Sequence, residues 1–331
     1  MSKVRLGIVG TGGMGRAHIR NILKQQETTE IVSFCDIDPA QAAQANALLV
    51  EAGLSEVPNE PDFKKFVESG GIDCALIATP HVFHFEHADT LLRAGVDVLL
   101  EKPMVMNTAE ALALIETQRE AGRLLAVAFN GSLSPSVRKA AEMIKNRDLG
   151  RPLSVDALVW QDWKKFTGGQ WRQDPAIAGG GFMFDTGAHL LNTVADLVGE
   201  PFVEVQASMS NEGTPVDIIV TATGRTASGL FVTIHGTGDV PGGGSRVHVM
   251  CEGGVILTGI WGERLKIKRD GWDDEFETVE LPASQGQWEA FLKVRNGEMP
   301  NPCPPEVGLR MIQLWDAIKK SASNGGALEK I

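Results

Sequence analysis

The sequence of 331 residues predicts an α/β N-terminal half built on a doubly wound parallel sheet, followed by an α+β half built on a mostly antiparallel open sheet. Up to residue 129, short runs rich in β-branched residues alternate with helix-like stretches, which is typical of parallel strands joined by crossover helices. In the second half, strand-like runs are separated by turn sequences such as PGGGS, EGG and RDG, which indicates antiparallel pairing. We therefore predict two domains, residues 1–129 and residues 130–331.

The N-terminal half has its predicted strands in the apolar runs VRLGIVG, EIVSFCD, CALIAT, DVLLEK and LLAVAF. Between these runs, apolar residues recur at the spacing of one helix face. The carboxyl ends of parallel strands meet at one edge of the sheet, which is where open α/β sheets bind ligands. The predicted helices cover Arg16–Gln25, Pro39–Ala52, Glu86–Ala94 and Thr108–Ala121.

The C-terminal half begins with a predicted helix, Pro135–Arg147, and the strand-like run PLSVDALVW. A loop rich in Trp and Gly and the helix-like run DTGAHLLNTVADLVG come next, and the Pro-rich MPNPCPP leads into a final amphipathic helix, Glu306–Lys320. The antiparallel sheet is predicted from the strand-like runs Val203–Ser210, Asp217–Thr223, Ser228–Gly236, Arg246–Met250, Val255–Ile260 and Arg264–Arg269.

The composition predicts a full-sized core and a small-molecule partner. Hydrophobic residues make up 43% of the chain, and 31 Lys and Arg stand against 42 Asp and Glu, a formal net charge of −11. This acidic balance disfavours nucleic-acid binding. The first apolar segment is too short for a signal peptide or a membrane span, and the four cysteines show no CxxC spacing. We expect a cytoplasmic protein with no metal, nucleic-acid or membrane partner.

The stretch Gly10-Thr11-Gly12-Gly13-Met14-Gly15 matches the pattern G-x-G-x-x-G between a predicted strand and a predicted helix. In a dinucleotide site, Gly10 makes the tight turn, Gly12 lets the backbone approach the pyrophosphate, and Gly15 lets helix and strand pack closely. The helix N-terminus offers N–H groups and a partial positive charge to the phosphates. We interpret the stretch as the phosphate-binding turn of a Rossmann domain; the alternative is a flexible surface loop.

Asp36 lies 21 residues beyond Gly15, at the end of the second predicted strand. Its carboxylate can accept hydrogen bonds from both ribose hydroxyls of NAD, but it would repel the 2′-phosphate of NADP. No arginine follows it in the run IDPAQAAQAN, and Ile37 stands where it can pack on the adenine. The predicted cofactor is therefore NAD, and the alternative role of Asp36 is a helix or turn cap.

Two longer stretches carry a family resemblance: IATPHVFHFEHADTLLRAGVDVLLEKPM, Ile77–Met104, and WRQDPAIAGGGFMFDTGAHLLNTVADLVG, Trp171–Gly199. Both strongly resemble hallmarks of the inositol dehydrogenase/glucose-fructose oxidoreductase family, often called Gfo/Idh/MocA. With the glycine-rich turn, the resemblance covers nearly the whole chain. It implies that the Glu-Lys-Pro motif lies beside the nicotinamide, with its lysine reaching the substrate. The further residues that it implies around the dinucleotide are Met14, Thr79, Pro80, His84, Glu101 and Lys102.

The resemblance implies three catalytic residues, Lys102, Asp185 and His189. Asp185 and His189 stand four residues apart on a predicted helix and share a face, as in the D-x-x-x-H pair of the family. Oxidation of a secondary alcohol removes a proton from its oxygen, and histidine, with an ordinary pKa of about 6.5, suits that exchange. A cationic Lys102 would stabilise the developing alkoxide, and Asp185 would orient the substrate or the histidine. The alternatives are a solvated lysine and a structural Asp–His pair.

The loop WQDWKKFTGGQWRQDP combines aromatic faces with polar donors, which suits a polyhydroxylated ring. Each of its tryptophans is equally a candidate for the core or for a subunit interface. Two departures from the family fall near the expected substrate pocket: Asn192 stands where an Asp is common, and FNGSLSPS lacks a large polar side chain. The predicted substrate-binding residues are Lys102, Trp163, Trp171, Arg172, Asp185, His189 and Asn192.

These observations predict an NAD-dependent dehydrogenase that reversibly oxidises a secondary hydroxyl of a sugar, sugar acid or cyclitol. One alternative is a glycoside-cleaving relative that recycles NAD without net redox change. Another is a non-catalytic, dinucleotide-sensing regulator, for which loss of Lys102 or His189 would be expected. An uncovered face of the second sheet predicts a homodimer or homotetramer. For His18, His81 and His87, we expect helix-surface or capping positions.

Overall fold

The computed structural model describes residues 2–269 and 275–331, which form two compact units. The longest segment of the second unit begins at Phe129, directly after Ala128 of the first unit. The first unit consists of Met1–Val105, Ala109–Ala128 and Gly286–Pro305, and the second of Met106–Thr108, Phe129–Gln285 and Glu306–Ile331.

Strands in the described residues form two sheets, one in each unit. They are β1 (Val4–Val9), β2 (Thr29–Cys35), β3 (Cys74–Ile77), β4 (Asp97–Leu100), β5 (Leu125–Val127), β6 (Pro152–Gln161), β7 (Phe202–Ser210), β8 (Ile219–Thr226), β9 (Phe231–Thr237), β10 (Gly243–Cys251), β11 (Gly254–Thr258), β12 (Leu265–Lys268), β13 (Glu277–Thr278) and β14 (Glu329–Lys330).

Helices lie between and after these strands. They are α1 (Gly13–Ile22), α2 (Pro39–Glu51), α3 (Phe63–Ser69), α4 (His84–Arg93), α5 (Thr108–Ala121), α6 (Asn130–Leu133), α7 (Pro135–Asn146), α8 (Trp163–Phe166), α9 (Pro175–Ala178), α10 (Phe182–Asp185), α11 (Gly187–Val198), α12 (Gln287–Arg295) and α13 (Pro305–Ser323). The short α3 was not predicted, because its seven residues contain too few apolar positions to show a helical period.

The first unit is built on a parallel sheet with strand order β2-β1-β3-β4-β5. Strands β3, β4 and β5 are buried along their whole length, as is usual where helices form the crossovers of a parallel sheet. The strand order reverses between β1 and β3, since the chain adds β2 on one side of β1 and β3 on the other. Open α/β sheets bind ligands at the carboxyl ends of the strands beside such a reversal.

Residues 286–305 return to the first unit, so the predicted domain of residues 130–331 does not hold for this segment. Trp288 and Phe291 of α12 pack into the hydrophobic core of the parallel sheet. The indole N–H of Trp288 donates to the Thr29 hydroxyl at 2.9 Å inside that core. Because this contact joins residues far apart in the chain, no local pattern could reveal it.

The second unit is built on a nine-stranded sheet with the order β13-β12-β11-β10-β6-β9-β8-β7-β14. Its neighbouring strands are antiparallel except for β6 and β9, which pair in parallel. Helix α11 packs against β6, α10 against β9, and α7 against β11 and β12. Buried and exposed residues alternate along β8, so one face of the sheet is covered and the other is open. The predicted fold class is confirmed.

Candidate functional site

The glycine-rich turn follows β1 and leads into α1. Gly10 has a φ of +88°, and a Cβ there would lie 2.8 Å from the backbone of Ala78. A Cβ at Gly15 would lie 2.2 Å from the carbonyl oxygen of Gly10, so helix and strand approach too closely for a side chain. Gly12 and Gly13 face open space, where a ligand can approach the backbone. Gly10, Gly12 and Gly15 therefore meet the requirements that the sequence pattern predicts for them.

The Asp36 carboxylate is held in place at the end of β2. Its Oδ2 accepts hydrogen bonds from the Thr11 backbone N–H at 2.7 Å and from the Thr11 hydroxyl at 2.8 Å, and its Oδ1 accepts from the backbone N–H of Asp38 at 2.9 Å. The Asn59 side chain bonds to both the N–H and the carbonyl of Asp36, each at 3.0 Å. Sequence reasoning missed Asn59, which lies in a loop without a recognisable signal.

Two apolar side chains that the sequence places beside the cofactor are solvent-exposed. Met14 in the first turn of α1 is 42% exposed, and Ile37, directly after Asp36, is 85% exposed. Exposed aliphatic side chains at the carboxyl edge of the sheet offer apolar contact to a bound ring system.

We expect NAD to bind at least tenfold tighter than NADP, a difference of about 1.4 kcal/mol in binding free energy. The reason is the fixed Asp36 carboxylate, which accepts from ribose hydroxyls and repels a 2′-phosphate. Replacement of Asp36 by Ala or Ser is expected to narrow the gap. Fluorescence titration of both cofactors measures it, and equal affinities in the unmodified protein would contradict the prediction.

Thr79 and Pro80 follow β3, and His84 begins α4 behind them. The His84 ring is buried, with Nε2 2.9 Å from the Thr79 carbonyl and Nδ1 2.8 Å from the Pro103 carbonyl. Burial lowers the pKa of His84, although the two carbonyl contacts oppose that shift. His84 therefore connects the Thr79-Pro80 turn to the Glu-Lys-Pro segment from inside the protein, whereas the sequence places it at the dinucleotide surface.

Glu101 and His18 form a buried pair next to Lys102. The imidazole Nε2 of His18 lies 2.6 Å from Glu101 Oε1, and Glu101 Oε2 accepts the backbone N–H of Lys102 at 3.0 Å. Burial alone would raise the pKa of Glu101, but the hydrogen bond and charge of His18, together with the charge and backbone N–H of Lys102, outweigh it and lower the pKa to about 2. The expected surface or capping position of His18 is wrong, because the α1 face that carries it packs inward beneath the motif.

Asp185 ends α10 and His189 lies in the first turn of α11. Thr186 between them has α-helical dihedral angles, so the chain continues its helical course and the predicted spacing of one turn is kept. Asp185 Oδ2 accepts hydrogen bonds from the Trp163 indole N–H at 2.9 Å and from Arg172 Nε at 3.1 Å. The buried carboxylate is thus oriented by one neutral donor and one cationic donor.

The predicted substrate-binding tryptophans occupy different environments. Trp163 is only 1% exposed and packs edge-on against Phe182, so it cannot stack on a sugar; its role here is to hold Asp185. Trp171 is partly exposed, and the Arg172 guanidinium lies 4.5 Å from its ring centroid. The sequence alone does not show whether a tryptophan contacts a ligand or, like Trp163, bonds to an aspartate of the same protein.

His189 lies among aromatic rings and is partly exposed. Its ring centroid is 6.0 Å from that of Phe129 and 6.3 Å from that of Trp261, in edge-to-face arrangements. Trp261 lies just beyond β11 and was not singled out from the sequence, where it stands alone in the run GIWGE. It adds an aromatic face beside the predicted proton carrier.

Asn192 is fully buried, contrary to its expected place at the substrate. Its Nδ2 donates to the Ser132 hydroxyl at 2.8 Å, and that hydroxyl donates to Asp196 at 2.9 Å. Asp196 also pairs with Arg138 on α7. Asn192 lies about one helical turn after His189, on a face of α11 that points into the protein. It therefore contacts this internal polar network.

Comparison with protein families assigns both parts of the chain. Residues 4–129 match the model described as an oxidoreductase family with an NAD-binding Rossmann fold, and residues 137–257 match the GFO/IDH/MocA C-terminal domain. The chain belongs to the GFO/IDH/MocA family. The resemblance read from the two long stretches is confirmed, and so is NAD as the cofactor of the first domain.

Individual family members resemble this chain over part of their length. Inositol 2-dehydrogenase 4 of Saccharopolyspora erythraea is 27% identical over 263 residues, which cover 78% of this chain and 74% of that protein. A putative UDP-kanosamine synthase oxidoreductase subunit of Amycolatopsis mediterranei is 31% identical over 203 residues, 59% of this chain and 52% of that protein. The matched stretches thus span about half to three quarters of these relatives.

The fold of this GFO/IDH/MocA member is also shared with solved structures. A levoglucosan dehydrogenase in complex with NADH and levoglucosan superposes with a TM-score of 0.86 at 22% identity, covering 100% of this chain and 99% of that one. At this identity the likeness establishes the architecture. Across the described ranges 2–269 and 275–331, no helix is long and apolar enough to cross a membrane.

Proposed function

We propose that the chain is an NAD-dependent dehydrogenase that reversibly oxidises a secondary hydroxyl of a sugar, sugar acid or cyclitol. The observation that carries this proposal is the Asp185–His189 pair: an oriented carboxylate one helical turn before a partly exposed imidazole. In a chain that also holds an NAD-binding domain, such a pair suits proton transfer to and from a hydroxyl.

The residues of the first unit fit NAD. Open space at Gly12 and Gly13 leaves room for a pyrophosphate, and the N-terminus of α1 supplies N–H groups toward it. Asp36 is fixed as an acceptor for ribose hydroxyls, and Ile37 is exposed beside it. When bound, NAD supplies the nicotinamide that accepts the hydride from the substrate carbon.

In the proposed reaction, Lys102 and His189 act on the substrate oxygen. His189 in its neutral form takes the hydroxyl proton during oxidation and returns it during reduction. The Lys102 ammonium stabilises the negative charge that grows on the oxygen, and it does so more than it stabilises the neutral alcohol, so it lowers the barrier. The Glu101 carboxylate accepts a hydrogen bond from the backbone N–H of Lys102. This contact restrains the backbone from which the lysine side chain extends.

Asp185 acts as a positioned acceptor for a substrate hydroxyl or for its catalytic partner. Trp163 and Arg172 both donate to Oδ2, and these two contacts hold the carboxylate plane. Trp163 and Arg172 therefore contribute to substrate recognition through Asp185. Trp171 and Trp261, which are both partly exposed, offer aromatic faces to the apolar face of a sugar ring.

Sugars and cyclitols are favoured as substrates because the named relatives act on this class. One is an inositol 2-dehydrogenase, another is called D-glucoside 3-dehydrogenase, and a third levoglucosan dehydrogenase. A polyol also suits a site that combines a fixed carboxylate with half-buried indole rings.

We expect a neutral or singly anionic sugar to turn over with a higher kcat/KM than its phosphate ester. Two of the cationic side chains of the second-unit loop are already engaged, since Arg172 bonds to Asp185 and Lys164 pairs with Asp239 at 2.9 Å. The run NGSLSP adds no bidentate arginine, the common phosphate donor. Steady-state kinetics on matched pairs of sugar and sugar phosphate decide this, and clear preference for the phosphate would overturn it.

The experiment that tests the proposed function is a screen of sugars, sugar acids and inositols with NAD, following the absorbance of reduced nicotinamide. Net NADH formation with one of them supports a dehydrogenase. Cleavage of a glycoside without net NADH would favour the alternative of a recycled cofactor. Absence of turnover with retained NAD binding would favour a regulator, which the presence of both Lys102 and His189 argues against.

We also propose that the protein is a homodimer or homotetramer located in the cytoplasm. The open face of the second-unit sheet supports self-association, and Phe231 on β9 is an exposed aromatic residue. Light scattering in solution measures the mass, and a monomer at all concentrations would contradict the proposal.

A further inference from the structure

Arg16 lies beside the carboxylate that selects the cofactor. It stands in the first turn of α1, and its Nη1 donates to the Thr11 carbonyl at 2.9 Å and to Gln41 Oε1. Thr11 in turn donates twice to Asp36, and Gln41 lies in the first turn of α2, just beyond Asp36. The guanidinium is therefore held at the end of the site where the adenosine ribose binds.

The Arg16 guanidinium keeps one edge available for an anion. Both of its hydrogen bonds use Nη1, and both go to neutral oxygens. Among the residues that the structure describes, no carboxylate lies within ion-pairing distance of Arg16, and neither Nε nor Nη2 is buried without a partner. The Nε–Nη2 edge presents two parallel N–H donors, the geometry that binds a phosphate in bidentate fashion.

We propose that Arg16 is a specificity-determining residue that makes the adenosine end of this site tolerant of a 2′-phosphate, so that NADP is a second, weaker cofactor. Asp36 repels the phosphate and Arg16 attracts it, and the balance of the two sets the ratio of the affinities. The sequence shows no arginine after Asp36, but the fold supplies one from 20 residues before it. The proposal concerns NAD-site chemistry and is independent of the substrate.

Four variants test the proposal by fluorescence titration with NADH and NADPH: Arg16→Gln, Asp36→Ser, the double variant, and Arg20→Gln as the control. Arg20 is an exposed residue on the same helix, and its replacement is expected to leave both affinities unchanged. Arg16→Gln is expected to weaken NADPH binding about tenfold more than NADH binding, as for loss of a charged hydrogen bond. Asp36→Ser is expected to tighten NADPH binding about tenfold, and the double variant to lose that gain.

Three outcomes overturn the proposal. Equal weakening of NADH and NADPH in Arg16→Gln would place the arginine on the pyrophosphate, which both cofactors share. Unchanged NADPH affinity in Arg16→Gln would show that Arg16 makes no contact with the 2′-phosphate. A double variant that keeps the full gain of Asp36→Ser would show that Arg16 plays no part in it. If Arg16→Gln unfolds, Arg16→Lys replaces it in the test. Lysine keeps the positive charge but lacks the two parallel N–H donors, so an intermediate NADPH affinity is expected.

Discussion

Replacement of Lys102 or His189 by alanine is expected to lower kcat by about 10² or more, while NAD affinity changes only a few-fold. The physical reason is that both residues act on charge that develops in the transition state: the lysine on the oxygen, the histidine on the departing proton. Because the imidazole must be neutral to accept that proton, oxidation weakens as the pH falls and reduction weakens as it rises.

Steady-state kinetics across pH on a substrate from the screen measure this effect, with circular dichroism to confirm folding. The matched controls are Lys145→Ala, an exposed lysine on α7, and His235→Ala, whose ring bonds to Thr221 on the second-unit sheet. Both are expected to keep normal kcat. A near-normal kcat in folded His189→Ala would remove His189 from the mechanism and leave Lys102 as the proton carrier.

Asp185→Ala is expected to reduce kcat less than the two variants above and to raise KM, since Asp185 orients other groups and does not itself exchange the proton. Arg172→Gln and Trp163→Phe each remove one donor to Oδ2, so they are expected to change KM in the same direction but by a smaller factor. If Asp185→Ala lowered kcat as much as His189→Ala with KM unchanged, Asp185 would have to act in the chemical step.

His18→Ala is expected to lower the free energy of unfolding by about 3–5 kcal/mol, because it leaves the Glu101 carboxylate buried without its partner. The pH dependence follows from the lowered pKa of Glu101. A carboxyl whose pKa falls from 4.5 to about 2 on folding stabilises the protein above pH 4.5, and this contribution is lost as the pH falls toward 2. In His18→Ala this acid-induced loss is smaller.

Urea unfolding at several pH values measures both effects. Glu116→Ala, at an exposed pair with Arg119, is the control and is expected to leave the unfolding midpoint nearly unchanged. His18→Gln retains a hydrogen-bond donor and is expected to recover part of the stability. A wild-type-like midpoint in His18→Ala would show that the pair contributes little, and that Glu101 is stabilised by other contacts.

The parallel sheet, the antiparallel sheet and the glycine-rich turn were all predictable from the sequence. Each leaves a local signature: buried runs between periodic helices, strand runs between turn sequences, and glycines wherever a Cβ would strike the backbone at Ala78 or Gly10. The one-turn spacing of Asp185 and His189 was predictable for the same reason, because helical geometry relates residues four positions apart.

The environments of several site residues were not predictable. The sequence placed Trp163 and Asn192 at the substrate and His18 at a surface, whereas the structure buries all three against polar partners. A residue's type reports what it can bond to, but not whether that partner is a ligand, water or another side chain. That depends on which residues distant in the chain pack beside it.

By itself, the sequence determined the class of fold, the dinucleotide turn and the residue types available for catalysis, because these depend on short-range periodicity and backbone sterics. Only the tertiary structure brought α12 into the first unit, His18 to Glu101, and Arg16 to Gln41 near Asp36. Those contacts join segments tens to hundreds of residues apart, and their partners are selected by the burial of whole helix faces, which no local pattern records.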